Sequence, residues 1–255
     1  MLISKFKNSL GKSSHGGQTL YDHIMGCAKV VYRVLDDSRF VPDDYPKQKR
    51  DQLFVSIFIH DIGKLDHDFQ DMLLAARDDK PFPPKRVKHE ASTLDFEALF
   101  METQDEVREH LSEVFNYRFT EPVDLEDAIA FAVSHHGLFY LSFEERDGKE
   151  VPRIRREWTV FNYAERRRIT LTDLLFDYHP LGGLVIIADL LGSFCYEQEI
   201  PDADDIIRRA NSLRELIDIL LQEGAVRTVE QSVQEYDPSY HGLRDLMTLL
   251  AGGLV

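Results

Sequence analysis

The chain has 255 residues with 30 basic and 45 acidic side chains, a formal charge of −15 and a pI near 5.1, a balance that argues against a protein that coats nucleic acid indiscriminately. With 43% hydrophobic and 11% aromatic residues it can bury a sizeable core, which excludes wholesale disorder and favours a single domain. Two cysteines, Cys27 and Cys195, make at most one bridge, so a disulfide scaffold is excluded and both read as free, buried thiols of a cytoplasmic protein.

In chain order, Met1 to Asn8 carries lysines with no apolar run behind them and does not read as a signal peptide. Leu20, His23/Ile24, Cys27, Val31 and Val34 recur at three- and four-residue spacing and predict a helix of roughly four turns, with His23 on or beside its apolar stripe. Tyr45-Pro46 interrupts the pattern. Asp51 to His60 is apolar on nearly every side and predicts a central helix packed all round, with Gly63 helping to stop it. After Pro81-Phe-Pro-Pro, a helix is expected to begin near His89 and run through Leu94, Ala98 and Leu99. Leu125, Ala128, Ile129, Ala132 and Val133 make another inward stripe, ending at His135-His136-Gly137. Residues 139–160 change character and suit a small β-hairpin around Asp147-Gly148. The longest apolar stretch, Leu181 to Tyr196, is shorter than the ~20 residues a membrane span needs and carries Asp189, so no membrane span is expected. Within it Leu184 to Phe194 reads as a buried helix, followed by an amphipathic helix from Asp204 to Gln222 with a Gly224 stop. Residues 225–255 read as a polar connector and a short helix, in which Leu243 to Leu250 either closes the core or docks a partner.

Charged and imidazole groups are costly inside apolar helices unless something satisfies them. His23 lies on an apolar stripe, His60-Asp61 and His135-His136 each close an apolar helix, and Asp189 sits inside LVIIADLLGSF. A hydrogen-bonded core histidine or a paired buried aspartate explains each one alone; their coincidence points to a metal. Imidazole and carboxylate together are ligands for Fe, Mn, Co, Ni or Zn, and the set lacks the thiolates of a structural zinc site. Adjacent helical residues point about 100° apart, so the His60-Asp61 and His135-His136 pairs converge most easily where a helix is ending. Asp189 and Ser193 are four apart and share a face, which places the hydroxyl near the metal edge or a bound phosphate.

The order His23, His60-Asp61-Ile62-Gly63-Lys64, Asp189 resembles the H…HD…D signature of the HD phosphohydrolase superfamily. Phe69-Gln70, His89, His135-His136-Gly137, Ala188-Asp189 and Gly192-Ser193, with the opening Lys12-Ser13-Ser14 and Leu20-Tyr21-Asp22-His23, make it similar to the HD nuclease of CRISPR type I systems, in its form separate from the helicase. The resemblance implies an all-α HD-domain helical bundle, with residues 1–223 as the nuclease domain and 224–255 packed on it. It implies two divalent transition-metal ions (Fe, Mn, Co or Ni): His23, His60, Asp61 and Asp189 hold one, and Asp61 bridges to a second held by His89, His135 and His136. Asp61, Lys64 and Ser193 are the implied catalytic residues, Lys64 holding a non-bridging phosphate oxygen; a solvated loop cation is the alternative for Lys64. The implied partners are single-stranded DNA, a separate helicase subunit and a guide-RNA surveillance complex.

Gly11-Lys12-Ser13 is not a phosphate-binding loop, because Phe6 stands where the first glycine must be and no strong strand precedes it; no ATP site is expected. His67 reads as a solvated loop residue, and His15, His110, His179 and His241 fall outside the pattern. Arg153, Arg155, Arg156, Arg166, Arg167 and Arg168 against Glu157 and Glu165 give residues 151–168 a charge of +4, leaving −19 elsewhere. With Trp158, Phe161 and Tyr163 this segment suits guidance of a single strand, or pairs with surrounding acidic groups. Two other functions remain open at this level: an HD phosphohydrolase of small or cyclic nucleotides, and a metal-bound interaction module without catalysis.

Overall fold

The computed structural model describes residues 1–41, 44–85, 87, 89, 96–120, 123, 141–146, 149–154 and 179–225. Its elements are α1 (Leu2–Asn8), β1 (Leu10–Lys12), β2 (Gln18–Thr19), α2 (Leu20–Leu35), α3 (Lys47–Ile59), α4 (His67–Arg77), α5 (Phe96–Phe115), β3 (Leu141–Arg146), β4 (Lys149–Ile154), α6 (His179–Glu197), α7 (Asp204–Arg208) and α8 (Leu213–Gln222). The described residues are mostly helical, as an all-α HD bundle requires, with two small two-stranded antiparallel sheets.

Three helices make the centre: α2 packs on α3 and α6, and α3 packs on α6. The apolar stripe of α2 is buried as its periodicity predicts, His23 included. Its first turn is capped by Thr19, whose hydroxyl oxygen accepts from the Asp22 amide. Every residue of α3 from Asp51 to Ile59 is buried, so the helix read as apolar all round is surrounded by neighbours. Full burial of each Phe or Leu contributes about 1.5–3 kcal/mol, which makes this helix the main apolar anchor of the bundle. At Gly192 a Cβ would come within 2.8 Å of Cys27 Sγ, so the missing side chain is what lets α6 settle onto α2 at the level of the site. Cys27 and Cys195 are free thiols and both are buried.

The N-terminal segment is fastened to this core rather than trailing from it. Leu2 and Phe6 of α1 are buried, Phe6 against the Phe58 ring at 5.6 Å. The Glu106 carboxylate of α5 accepts hydrogen bonds from the Leu2 and Ile3 amides at 2.7 and 3.2 Å, capping α1 from outside. β1 and β2 pair through a turn in which His15, Gly16 and Gly17 all take positive φ (50°, 83° and 102°).

Several expectations need correction. Gly63 does not end α3 by a left-handed cap: α3 stops at Ile59 and a tight turn over Ile62–Leu65 follows, with Gly63 inside it and absent from the positive-φ glycines. Asp204 to Gln222 is two helices, because Ser212 caps α8: its hydroxyl oxygen accepts from the Glu215 amide at 3.1 Å, while the Glu215 carboxylate accepts from the Asn211 amide at 2.7 Å. Gly224 does close α8, at φ 80°. The helix expected from near His89 is described from Phe96 and runs on to Phe115. β3 and β4 form the expected hairpin, in register from Leu141↔Ile154 to Arg146↔Lys149; the Asp147-Gly148 turn itself lies outside the described residues. So do the stripe at 125–133 and everything after 225. Among the described residues no helix is long and apolar enough to cross a membrane.

Candidate metal centre

Four elements deliver polar side chains to one buried spot. α2 contributes His23 from its apolar stripe, the end of α3 contributes His60 and Asp61, the tight turn after it contributes Lys64, and the middle of α6 contributes Asp189; all five are buried. His23 Nε2 lies 2.9 Å from Asp61 Oδ2 and 3.3 Å from Asp189 Oδ1. His60 Nε2 lies 3.4 and 3.7 Å from the same two oxygens. The His60 Nδ1 is 2.6 Å from the Ile57 carbonyl oxygen, an arrangement that places the ring proton on Nδ1 and turns the Nε2 lone pair into the cluster.

Asp61 divides its carboxylate between two sides. Oδ2 faces His23, His60 and Lys64, whereas Oδ1 lies 3.1 Å from His89 Nε2. The His89 ring is set edge-on against Phe69, with centroids 5.0 Å apart. His89 thus meets the HD dipeptide from a part of the chain 28 residues downstream of Asp61.

Two lysines balance the buried carboxylates. Lys64 Nζ donates to Asp61 Oδ2 at 2.6 Å and to the Gly11 carbonyl at 3.3 Å, and is only 7% exposed. It is therefore not a solvated loop cation. Burial works against its charge, but Asp61 and Asp189 hold its pKa above the ordinary lysine value. Lys12 Nζ donates to Ser193 Oγ at 2.7 Å, and Ser193 donates in turn to Asp189 Oδ1 at 3.2 Å. Burial alone would raise the Asp189 carboxyl; the hydrogen bond from His23, with His60 and the Lys12 ammonium close by, outweighs it and holds it well below the usual carboxylate range. Cys27 lies on the inner side, with Sγ 3.9 Å from His23 Nδ1. Burial, reinforced by Asp189 and Asp61, pushes its thiol well up.

Of the residues singled out from sequence, His23, His60, Asp61, Lys64, His89, Asp189 and Ser193 come together. His135 and His136 lie outside the described residues, as do Arg155, Arg156, Arg166, Arg167 and Arg168. His67 is exposed, as expected, at the first residue of α4 rather than in a loop, and pairs with Asp71. Sequence reasoning passed over Lys12, Gly11 and the structural part of Gln70. Gln70 receives the Leu10 amide, and its own amide donates to the carbonyls of Leu10 and Lys64. The signal for Lys12 was the Gly11-Lys12-Ser13 phrase itself, set aside once its phosphate-loop reading failed.

A family model described as Cas3, HD domain, matches residues 7–196, more than half of the chain. The chain belongs to this family. Comparison with curated proteins and with solved structures found no match. As a Cas3 HD domain the protein is a CRISPR-associated HD nuclease, a metal-dependent hydrolase. The residues fit a divalent metal on their own chemistry. Donor atoms of His23, Cys27, His60 and Asp189 lie within 4.8 Å of one another. The imidazole and carboxylate separations are close to the roughly 3 Å between neighbouring ligands that bind an ion at ~2.1 Å.

Proposed function

We propose that this HD nuclease hydrolyses phosphodiester bonds of single-stranded DNA in CRISPR type I interference, beside a separate helicase subunit and a guide-RNA surveillance complex. In this reading His23, His60, Asp61 and Asp189 would hold one divalent ion, and Asp61 with His89, His135 and His136 would hold a second. The observation that carries it is the divided carboxylate of Asp61, with Oδ2 turned to His23 and His60 and Oδ1 to His89. Two ions, drawn from Fe, Mn, Co or Ni, supply Lewis-acid activation of water and neutralise charge on the phosphate oxygens.

The protein's own groups set the stage for that chemistry. His60, fixed through Nδ1 by the Ile57 carbonyl, keeps its donor nitrogen aimed inward. Lys64 balances Asp61 from the side, and Ser193 steadies Asp189. Lys64 commits two of its three N–H groups to Asp61 and Gly11, and in this reading its catalytic role runs through Asp61. We take residues 1–223 as the nuclease domain and 224–255 as a connector and short helix on the same domain. Its acidic surface suits an enzyme whose strand is delivered by a partner, because net charge of −15 opposes strong binding to DNA at random.

The test is cleavage of circular single-stranded DNA by protein supplied with Mn, Co, Ni or Fe. Circles are expected to be degraded, EDTA to stop the reaction, and Asp61→Ala to abolish it. Intact circles across the metal panel, with turnover of mononucleotides or cyclic nucleotides instead, would assign the site to small-nucleotide hydrolysis. Elemental analysis of protein purified without chelator is expected to give about two ions per chain in this reading.

A further inference from the structure

The short strand β1 belongs to the site as much as the helices do. Its three residues each reach a different part of the cluster's surroundings. The Leu10 amide and carbonyl are both held by the Gln70 side chain, at 2.8 and 2.9 Å. The Gly11 carbonyl accepts from Lys64, and a Cβ at Gly11 would stand 3.0 Å from both His23 Cβ and Leu20 Cα, so the strand lies flush on α2 directly above the metal-ligand stripe. Lys12 then projects across to α6 and donates to Ser193. The next turn continues the clasp: Ser14 donates to Glu197 at 2.7 Å, and the Tyr196 hydroxyl donates to the Ser14 carbonyl at 2.6 Å.

The donors at this edge are unequally committed. The Ser193 hydroxyl has one proton, and it is directed to Asp189 Oδ1. Lys64 is buried and donates to Asp61 and Gly11. The Lys12 ammonium carries three N–H groups; among the described residues one goes to Ser193, and the side chain is half-buried at the rim rather than enclosed. We propose that Lys12 is a substrate-contact residue, which keeps one N–H on Ser193 and presents the other two to a non-bridging phosphate oxygen of a strand seated at the Asp61–Asp189 cluster. This rests on the reading of that cluster as a phosphodiesterase site. Ser193 then acts as the tie that fixes Lys12 relative to Asp189, and the phosphate contact expected of Lys64 passes to Lys12.

The experiment measures binding of a fluorescent phosphorothioate oligothymidylate to Mn-loaded protein across a salt series, with Mn affinity followed separately by calorimetry. Lys12→Gln is expected to weaken strand binding about tenfold, the scale of one charge-assisted contact. It should also reduce the slope of log K against log salt by about 0.7, the value for one single-strand phosphate. Lys12→Arg is expected to restore both, and Mn affinity to stay within about twofold of wild type, whereas Ser193→Ala, which loosens Asp189, lowers it. An unchanged salt slope in Lys12→Gln overturns the proposal, and a loss of Mn affinity matching Ser193→Ala reassigns Lys12 to positioning Asp189. If the slope changes as expected but no wild-type cleavage is seen, the contact stands and the nuclease reading fails. If the wild type does not bind the strand, both fail.

Discussion

Asp61 and Lys64 are three residues apart and buried in contact at 2.6 Å, with a second carboxylate, Asp189, close by. Two carboxylates share this space with one buried ammonium, while the second, Lys12, stays half-buried at its edge, so the buried groups alone carry a deficit of positive charge that a cation would meet. Lys64→Met removes the ammonium while keeping its volume. The metal-free variant is expected to lose about 3 kcal/mol, since breaking a buried pair strands the remaining charge. That loss reads as a lower urea midpoint, and added Mn is expected to recover most of it by binding the folded state. An unchanged midpoint would mean that Asp61 is balanced by other groups. At this scale the identities of His23, His60, Asp61 and Asp189 were legible, because ionisable groups stand out in apolar helices. The Gly11-Lys12-Ser13 phrase marks Lys12 in the sequence but says nothing of what the lysine reaches in space.

The elements differ in how openly the chain declares them. α3 was plain from a run with no polar face, and the β3–β4 hairpin from a two-residue Asp-Gly break between its strands. The division of α7 from α8 was written as Ser212-x-x-Glu215, a capping-box pattern masked by the apolar periodicity that runs through it, in which Glu215 reaches back to the Asn211 amide. β1 was invisible for a different reason: three residues form a strand only because the rest of the protein holds them. Gln70 makes three of those bonds, two to Leu10 and one to Lys64. Gln70→Leu is therefore expected to cost about 2 kcal/mol, the scale for part-buried backbone groups left without partners. Faster amide hydrogen exchange should be confined to residues 10–12 and the turn around Lys64. Exchange at β1 equal to wild type would show that α2 alone holds the strand.

Over the whole molecule, charge is unevenly spread: residues 151–168 carry +4 and the remainder −19. A strand approaching the protein meets net repulsion except where cations are concentrated, so weak binding with a local basic guide is the expected balance. Replacing Arg153, Arg155, Arg156, Arg166, Arg167 and Arg168 by alanine is expected to weaken single-strand binding and flatten its salt dependence by more than loss of Lys12 does. Equal slopes for the sixfold variant and wild type would assign this segment to pairing with neighbouring acidic groups instead. The sequence by itself determined the helical class and the ligand chemistry, because three- and four-residue periodicity and buried polar identity are local properties of a chain. The tertiary structure alone decided which oxygen of Asp61 meets which histidine, and that a strand before α2 brings Lys12 to Ser193. Those contacts depend on the rotation and approach of α2, α3 and α6 about one another, set by packing such as the Gly192–Cys27 approach, and no local pattern encodes that rotation.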